Sequence, residues 1–212
     1  MVGFVCNCRM VYLRSRKKVK GEGPNWLELP RDIIARIFQR LDAVEVVMSA
    51  SHVCSLWRNI CKDPLMWRTI DMTNLCTRNI RRYDLDKVCR CVVQRSSGHL
   101  EDIRIECFAT DNLLKYIGES TSHVRSIQLA NCWSISNKGL LAILDGFPLL
   151  EYLDLRGCFG VRLRGSLAKR CLKQIKYLQH QDSSISESNI LPSHLRPKRN
   201  RRRPLYLNDY VC

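Results

Sequence analysis

The sequence predicts an α+β fold in two parts: a compact N-terminal module of three short helices, then a short right-handed α/β solenoid. Within residues 25–71, apolar residues recur at helical spacing, with turn signals close together. From residue 100 onward the apolar spacing becomes that of strands, and the pattern recurs at intervals of 24 and 26 residues. The 212 residues, 45% hydrophobic and 26% charged, have an ordinary globular composition, and no apolar run approaches the roughly 18–20 residues of a membrane span.

The first helix is predicted to begin at Pro30, because proline suits a first turn in which its missing N–H would have had no partner. Apolar residues then recur at helical spacing over about twelve residues, with charged residues on the opposite side. This apolar stripe consists of Ile33, Ile34, Ile37, Phe38 and Leu41.

Short polar residues mark the next two helices. Asp42 and Glu45 have the spacing of a capping box, which predicts the start of the second helix. Ser51 is predicted to cap the third. Asp63 and Pro64 predict a turn, after which residues 65–67 are expected to return to the core.

A unit of fewer than fifty residues buries too little surface to be stable alone, so part of its apolar surface is expected to face a partner. Its residues resemble an F-box in their order and spacing: Leu29-Pro30, Ile34, Ile37-Phe38, Leu41, Val53-Cys54, Trp57-Arg58, Asp63-Pro64 and Trp67. The resemblance implies docking on a SKP-family adaptor, and through it on a cullin and a RING protein of a ubiquitin ligase. The adaptor contacts that it implies are Leu29, Pro30, Ile33, Ile37, Phe38, Val53 and Cys54, whereas Trp57 and Trp67 are expected in the module's own core.

Three segments after this module share one pattern, in which apolar residues occupy the anchor positions of a leucine-rich repeat. Helical patterns lie between them, and weaker copies flank the series at residues 66–72 and 172–177, with a helix expected near 84–94. The tandem arrangement resembles plant F-box proteins with leucine-rich repeats over residues 25–179. The anchors are Leu100, Ile103, Ile105 and Phe108; Val124, Ile127, Leu129 and Cys132; and Leu150, Leu153, Leu155 and Cys158.

In such repeats the strands line the concave side, and residues between the anchors face outward. They mix both charges with an aromatic ring, which suits recognition of a protein surface, although an ordinary solvated face has the same composition. The candidate target-binding residues are Asp102, Arg104, Glu106, Ser126, Gln128, Ala130, Tyr152, Asp154 and Arg156.

The formal charge of +15 lies mostly in the two ends of the chain. Residues 1–24 carry six basic residues and one acidic residue, and residues 196–203 carry six basic residues and none acidic. Such segments serve as nuclear import signals, weak nucleic-acid arms or solubilising ends. We therefore expect four regions, with localisation in the nucleus, the cytoplasm or both: a disordered basic segment 1–24, the F-box 25–71, leucine-rich repeats 72–180 and a polar, basic tail 181–212.

The twelve cysteines lack the paired spacing of a zinc site, so neither a metal nor another cofactor is expected, and reduced, buried thiols are the simplest interpretation. Cys54 near His52 and Cys132 near His123 are the candidate nucleophile–base pairs, but both cysteines lie in apolar patterns. The phosphate-loop, dinucleotide, hydrolase-elbow and zinc-protease motifs are absent from the sequence. The chain is therefore predicted not to be an enzyme.

The functional hypothesis is a substrate-recognition subunit of an SKP–cullin–F-box ubiquitin ligase. One alternative is a repeat-based interaction scaffold that acts without a ligase. A tail-mediated nucleic-acid binder is the other; its affinity would fall steeply with salt.

Overall fold

The computed structural model describes residue 26, residues 28–73, residue 75 and residues 83–180. The expectations for segments 1–24 and 181–212 lie outside these residues. The helices are α1 (Arg31–Phe38), α2 (Ala43–Met48), α3 (Ser55–Cys61), α4 (Leu85–Arg95), α5 (Asp111–Ser120), α6 (Asn137–Gly146) and α7 (Gly165–Gln174). The strands are β1 (Thr69–Met72), β2 (Asp102–Glu106), β3 (Ser126–Ala130), β4 (Tyr152–Asp154) and β5 (Tyr177–Gln179).

The five strands form one parallel sheet in chain order, with a helix between each strand and the next. The predicted anchors lie side by side across it: Ile70 pairs with Ile103, then come Ile127, Leu153 and Leu178. The first four are buried, and Leu178 packs partly buried against the same core. Paired anchors on neighbouring strands are one repeat apart in the sequence. The repeat period therefore sets the register of the strands and keeps the anchors on the same face of the sheet.

A residue with a left-handed backbone follows each inner strand: Cys107 and Asn131 come directly after β2 and β3, Gly157 comes three residues after β4, and their φ values are 73°, 53° and 79°. A Cβ on Gly157 would lie 2.4 Å from the Asn131 side-chain oxygen, so only glycine fits there without movement. The next residue turns inward, and at two of the three positions it is a fully buried cysteine. The thiols of Cys132 and Cys158 donate to the carbonyl oxygens of Ala130 and Leu129, each at 3.3 Å.

The N-terminal module differs from its predicted outline in three places. Helix α1 has eight residues rather than about twelve, because residues 39–41 form a terminal turn. The cap of α3 is Cys54, whose Sγ accepts from the Trp57 N–H, whereas Ser51 lies in a short 3-10 turn and donates to the Val47 carbonyl at 2.7 Å. Leu65, expected in the core, is 55% exposed.

The module joins the repeats through Trp67, which ends a second 3-10 turn just before β1. Its ring is buried, and its indole N–H donates to the Cys61 carbonyl at 2.9 Å. Helix α2 packs against β1 and α4, so the two parts share one apolar core.

Among the described residues no helix is long and apolar enough to cross a membrane, and no cluster of three metal-ligating side chains occurs. Seven cysteines in this part of the chain are free thiols, and all but Cys54 are buried. Cys107 is disulfide-bonded, which departs from the interpretation of reduced cysteines throughout.

Candidate docking and target surfaces

Helix α1 separates its isoleucines onto two faces. Ile34 and Phe38, four residues apart, are buried in the core, whereas Ile33 is exposed and Ile37 is half-buried. Pro30 sets this rotation, because its carbonyl accepts from the N–H groups of both Ile33 and Ile34. The helix start is also tied to the turn after α3 by an ion pair between Arg31 and Asp63, 3.5 Å apart.

Phe38 is a correction to the predicted contact set. Its side chain is only 1% exposed, and its ring meets the Trp57 ring edge-on with centroids 4.9 Å apart. The other side of Trp57 faces the Trp26 ring at 6.1 Å, also edge-on. Phe38 therefore supports α1 from inside rather than offering surface to a partner.

The other six predicted contacts keep accessible surface and form two groups. Leu29, Pro30, Ile33 and Ile37 lie on α1 or just before it, and Val53 and Cys54 lie where the chain turns into α3. Helices α1 and α3 pack against each other. Val53 is 62% exposed, which is unusual for a branched apolar residue fixed between two helical turns.

Three further large apolar side chains of the module are exposed: Trp26, Leu41 and Leu65. The sequence predicted Leu41 on the apolar stripe of the first helix and Leu65 in the core, because apolar periodicity does not say where a helix stops. Leu41 falls after the end of α1, and the Leu65 N–H is held by the Asp63 carboxylate at 3.1 Å in the turn before Met66 and Trp67 enter the core.

The predicted target-binding residues are brought together on one face of the sheet, in two cross-strand rows. One row runs from Asp102 through Ser126 to Tyr152, and the other from Arg104 through Gln128 to Asp154. Glu106 is partly buried at the end of β2, and Arg156 is exposed just beyond β4.

Solvent exposure was predicted wrongly for four of them, since Ser126, Gln128, Tyr152 and Asp154 are buried. Parallel strands lie about 4.8 Å apart, so polar side chains in one row can bond to each other instead of to water. The Tyr152 hydroxyl lies 3.3 Å from the Gln179 side-chain oxygen and 3.5 Å from the Asp154 carboxylate.

Two arginines balance the acids of this face. Arg104 bonds to Asp102 at 2.8 Å and lies 3.8 Å from Asp71 on the neighbouring strand. Arg156 holds Asp154 through both Nε and Nη2, the shortest contact being 2.7 Å, and this hydrogen bond raises the pKa of the arginine. Burial raises the pKa of Asp102, against the opposing charge of Arg104. The face is therefore polar and paired within itself.

Some polar atoms on this face still lack a partner. Within the part of the chain that the structure describes, Arg104 Nε and Gln128 Nε2 are buried without a hydrogen bond. Asp102 and Arg104 also line a cavity of about 240 Å³ between the sheet and the N-terminal module, together with Leu41, Met66 and Asp71.

The two candidate nucleophiles are held in structural roles. The Cys54 thiol caps α3, and the His52 Nδ1 lies 2.9 Å from the Ser51 hydroxyl. Cys132 is fully buried, and its hydrogen bond with Cys158, together with burial, raises the pKa of its thiol. Neither geometry provides the exposed thiolate that nucleophilic catalysis needs.

Comparison with known proteins identifies both parts of the chain. Residues 26–73 match the F-box-like family. F-box protein SKIP19 of Arabidopsis thaliana is 32% identical, with 80% of this chain and 82% of the relative covered. F-box/LRR-repeat protein 22 of the same plant is 30% identical over 82% of this chain and 83% of the relative, and F-box/LRR-repeat protein At3g48880 is 28% identical over 72% and 55%.

The family match covers the helical module, and the matches to SKIP19 and to F-box/LRR-repeat protein 22 cover 80% and 82% of the chain. The chain belongs to the plant F-box/leucine-rich-repeat family.

Proposed function

We propose that the chain is a substrate-recognition subunit of an SKP–cullin–F-box ubiquitin ligase. Its family supports this role in general terms, since F-box proteins act as adaptor-bound receptor subunits. The observation that carries the proposal for this chain is the exposed apolar surface on α1 and on the turn before α3, which is held in place by a buried core behind it.

The docking part of the proposal rests on side chains that are fixed in place and still accessible. Ile33 projects from a helix whose opposite face is anchored by Ile34 and Phe38, and Val53 is fixed between a 3-10 turn and α3. Burying a branched apolar side chain against a partner contributes about 1.5–3 kcal/mol, and a preformed surface loses little conformational entropy on binding. We therefore assign SKP-family adaptor contact to Leu29, Pro30, Ile33, Ile37, Val53 and Cys54.

The repeats would hold the target. We propose that the five-stranded sheet and its helices form a short right-handed solenoid, with the two polar rows on its concave side. The charged side chains of this face that keep accessible surface, Asp102, Arg104, Glu106 and Arg156, support target contact there, since charged groups direct the choice of partner.

The proposed mechanism requires no catalytic group in this chain. The module would attach to the adaptor and thereby to the cullin and RING proteins, while the repeats keep the target nearby. Target lysines would then be held at high effective concentration beside the ubiquitin-carrying enzyme, which speeds transfer through proximity.

The docking surface can be tested by introducing a negative charge at its exposed apolar positions. The double variant Ile33→Asp and Val53→Asp should lose co-purification with a recombinant plant SKP adaptor, because each carboxylate would have to be buried without a partner. Leu172→Asp is the matched control: Leu172 is also large, apolar and exposed, but it lies on α7 at the other end of the chain. Undiminished adaptor binding by the double variant would refute the assignment.

The same purification separates the ligase role from a scaffold role. Adding cullin and RING proteins to the wild-type chain and adaptor should give one complex that co-elutes on size exclusion. An adaptor complex that excludes the cullin would favour the non-ligase scaffold instead.

We also propose that the basic segments at residues 14–20 and 196–203 direct the protein to the nucleus. A fluorescent fusion should lose nuclear accumulation when the arginines and lysines of both segments are replaced by glutamine. Unchanged distribution would show that the segments have another role.

A further inference from the structure

Two aromatic side chains are displayed at equivalent positions of neighbouring repeats. Trp133 follows the buried Cys132 after β3, and Phe159 follows the buried Cys158 after β4. Their exposed fractions are 65% and 67%, the largest of any large apolar residue in the described part of the chain. The equivalent residue after β2 is Ala109, which is fully buried, so the repeat architecture does not itself require an exposed ring here.

The loops that carry these rings are fixed against each other. Gly157 lies against the backbone of Asn131, and a Cβ on Gly160 would lie 2.3 Å from the Ile135 carbonyl oxygen. The Arg162 N–H donates to the Asn137 side-chain oxygen at 2.8 Å across the same gap. A partner would therefore meet a preformed surface and would not have to order a loop.

The loops that carry the rings contain only basic charge, and the two carboxylates that contact the first loop from β2 and α5, Glu106 and Asp111, accept hydrogen bonds from Asn131 and Ser136. Residues 131–138 and 155–165 contain Lys138, Arg156, Arg162 and Arg164 and no acidic residue. Arg156 is occupied by Asp154, but no carboxylate among the described residues forms an ion pair with Lys138, Arg162 or Arg164. Arg162 and Arg164, which form no ion pair among the described residues, thus lie in the same loop as the exposed ring of Phe159.

We propose that this edge, formed by Trp133, Phe159, Arg162 and Arg164, is a docking site for an acidic peptide segment that carries an apolar anchor residue. Aromatic residues and arginine are the side chains that most often dominate the affinity of protein interfaces, and uncompensated positive charge selects an acidic partner. The inference rests on the proposed function and deepens it, because it names the class of target segment that the receptor takes. It also places that contact on the loop edge, beside the polar rows of the sheet.

A single-stranded nucleic acid would meet the same chemistry of rings and cations. The distribution of charge argues against it, since residues 1–24 and 196–203, which lie outside this edge, carry +11 of the net charge of +15. The nucleic acid is therefore kept as an outcome of the test.

The test is a selection of phage-displayed random twelve-residue peptides against the full chain bound to its adaptor. We expect enriched peptides to place two or more Asp or Glu residues beside a Trp, Phe or Leu. One such peptide, labelled with fluorescein, then serves as the probe in fluorescence anisotropy, with labelled dT12 as the oligonucleotide arm.

The variants divide the surface into its two components. Trp133→Ala with Phe159→Ala should weaken peptide binding by at least about tenfold, since truncating an anchor at the centre of an interface commonly exceeds that factor. Arg162→Glu with Arg164→Glu should weaken it similarly and flatten its salt dependence. Leu141→Ala with Leu172→Ala, also exposed apolar residues but on α6 and α7, should leave binding unchanged. Because the arginine side chains are exposed, their variant tests the site even if the aromatic variant folds poorly.

Enrichment of neutral or basic peptides, wild-type affinity for the peptide in both variants, or tighter binding of dT12 than of the peptide would overturn the inference. Each variant is also tested for adaptor co-purification. A wild-type chain that fails to bind adaptor refutes the proposed function itself, whereas normal adaptor binding without acidic peptide preference refutes only this docking site.

Discussion

The helical module and the sheet face use opposite means of preparing a surface. On the module, large apolar side chains such as Ile33 and Val53 stay exposed while the residues behind them are packed. On the sheet, polar side chains such as Tyr152 and Asp154 are buried and bonded to one another. When a partner binds, removing the apolar surface of the module from water is favourable. The polar side chains of the sheet must instead exchange hydrogen bonds to each other for hydrogen bonds to the partner.

This difference bears on what each surface can recognise. Apolar contact is non-directional, so the module suits one constant partner that all family members share. Hydrogen-bonding groups and paired charges are directional, and mismatched partners leave them unsatisfied, so the polar rows suit discrimination between targets. Substitutions can test whether binding by each surface can be changed without changing the stability of the core beneath it.

The largest expected effect comes from Phe38→Ala. Removing a fully buried ring that packs edge-on against Trp57 should lower the free energy of unfolding by about 3–5 kcal/mol. Val53→Ala is the matched variant and should change stability by no more than about 0.5 kcal/mol while weakening adaptor binding. Denaturant unfolding and adaptor titration measure the two properties; a stable Phe38→Ala protein that cannot bind adaptor would restore Phe38 to the contact set.

Leu153→Ala addresses the sheet core in the same way. Leu153 is fully buried in the anchor row between Ile127 and Leu178, and its truncation should cost about 2–5 kcal/mol. Because α2 packs on β1 and α4, we expect far-UV circular dichroism and tryptophan fluorescence to report one unfolding transition. Two separate transitions would show that the module and the repeats fold independently.

Much of the sheet was predictable, because anchors such as Ile103, Ile127 and Leu153 recur at repeat spacing and that spacing sets both strand and register. The face of the sheet on which Tyr152 lies was also predicted correctly, but the solvent exposure of its side chain was predicted wrongly. Alternation along one strand says which face a side chain is on, whereas occlusion depends on neighbours about 25 residues away. The cap of α3 was missed for a local reason: Cys54 is a rare cap, and Ser51 has the commoner chemistry.

The contact between α5 and α6 should show a smaller effect, confined to the repeats. A Cβ on Gly146 would lie 2.7 Å from the Gly118 Cα, and one on Gly118 would lie 3.1 Å from the Gly146 Cα. Gly146→Ala should therefore cost about 1–3 kcal/mol by forcing the helices apart, and Gly118→Ala should cost less. The melting temperatures of the two variants, measured by thermal unfolding, give their order of stability, and the exposed Leu141→Ala serves as the control. Equal melting temperatures for all three variants would mean that the helices can move apart at no cost.

The smallest expected effect lies on the edge where the strands begin. Arg68 pairs with Glu101 at 2.6 Å, and Arg125 pairs with Glu151 at 2.7 Å, so the same ion pair recurs at two repeats. Both arginines are more than half exposed, and solvent screening limits each pair to about 0.2–1 kcal/mol. A double-mutant cycle on Arg125 and Glu151 should give a coupling within that range that falls as salt is added. A coupling free energy above about 2 kcal/mol that does not fall with salt would show that this edge is structurally coupled to the buried polar rows. The sheet face, with its paired side chains, and the edge, with its solvated ion pairs, would then no longer differ in the way described above.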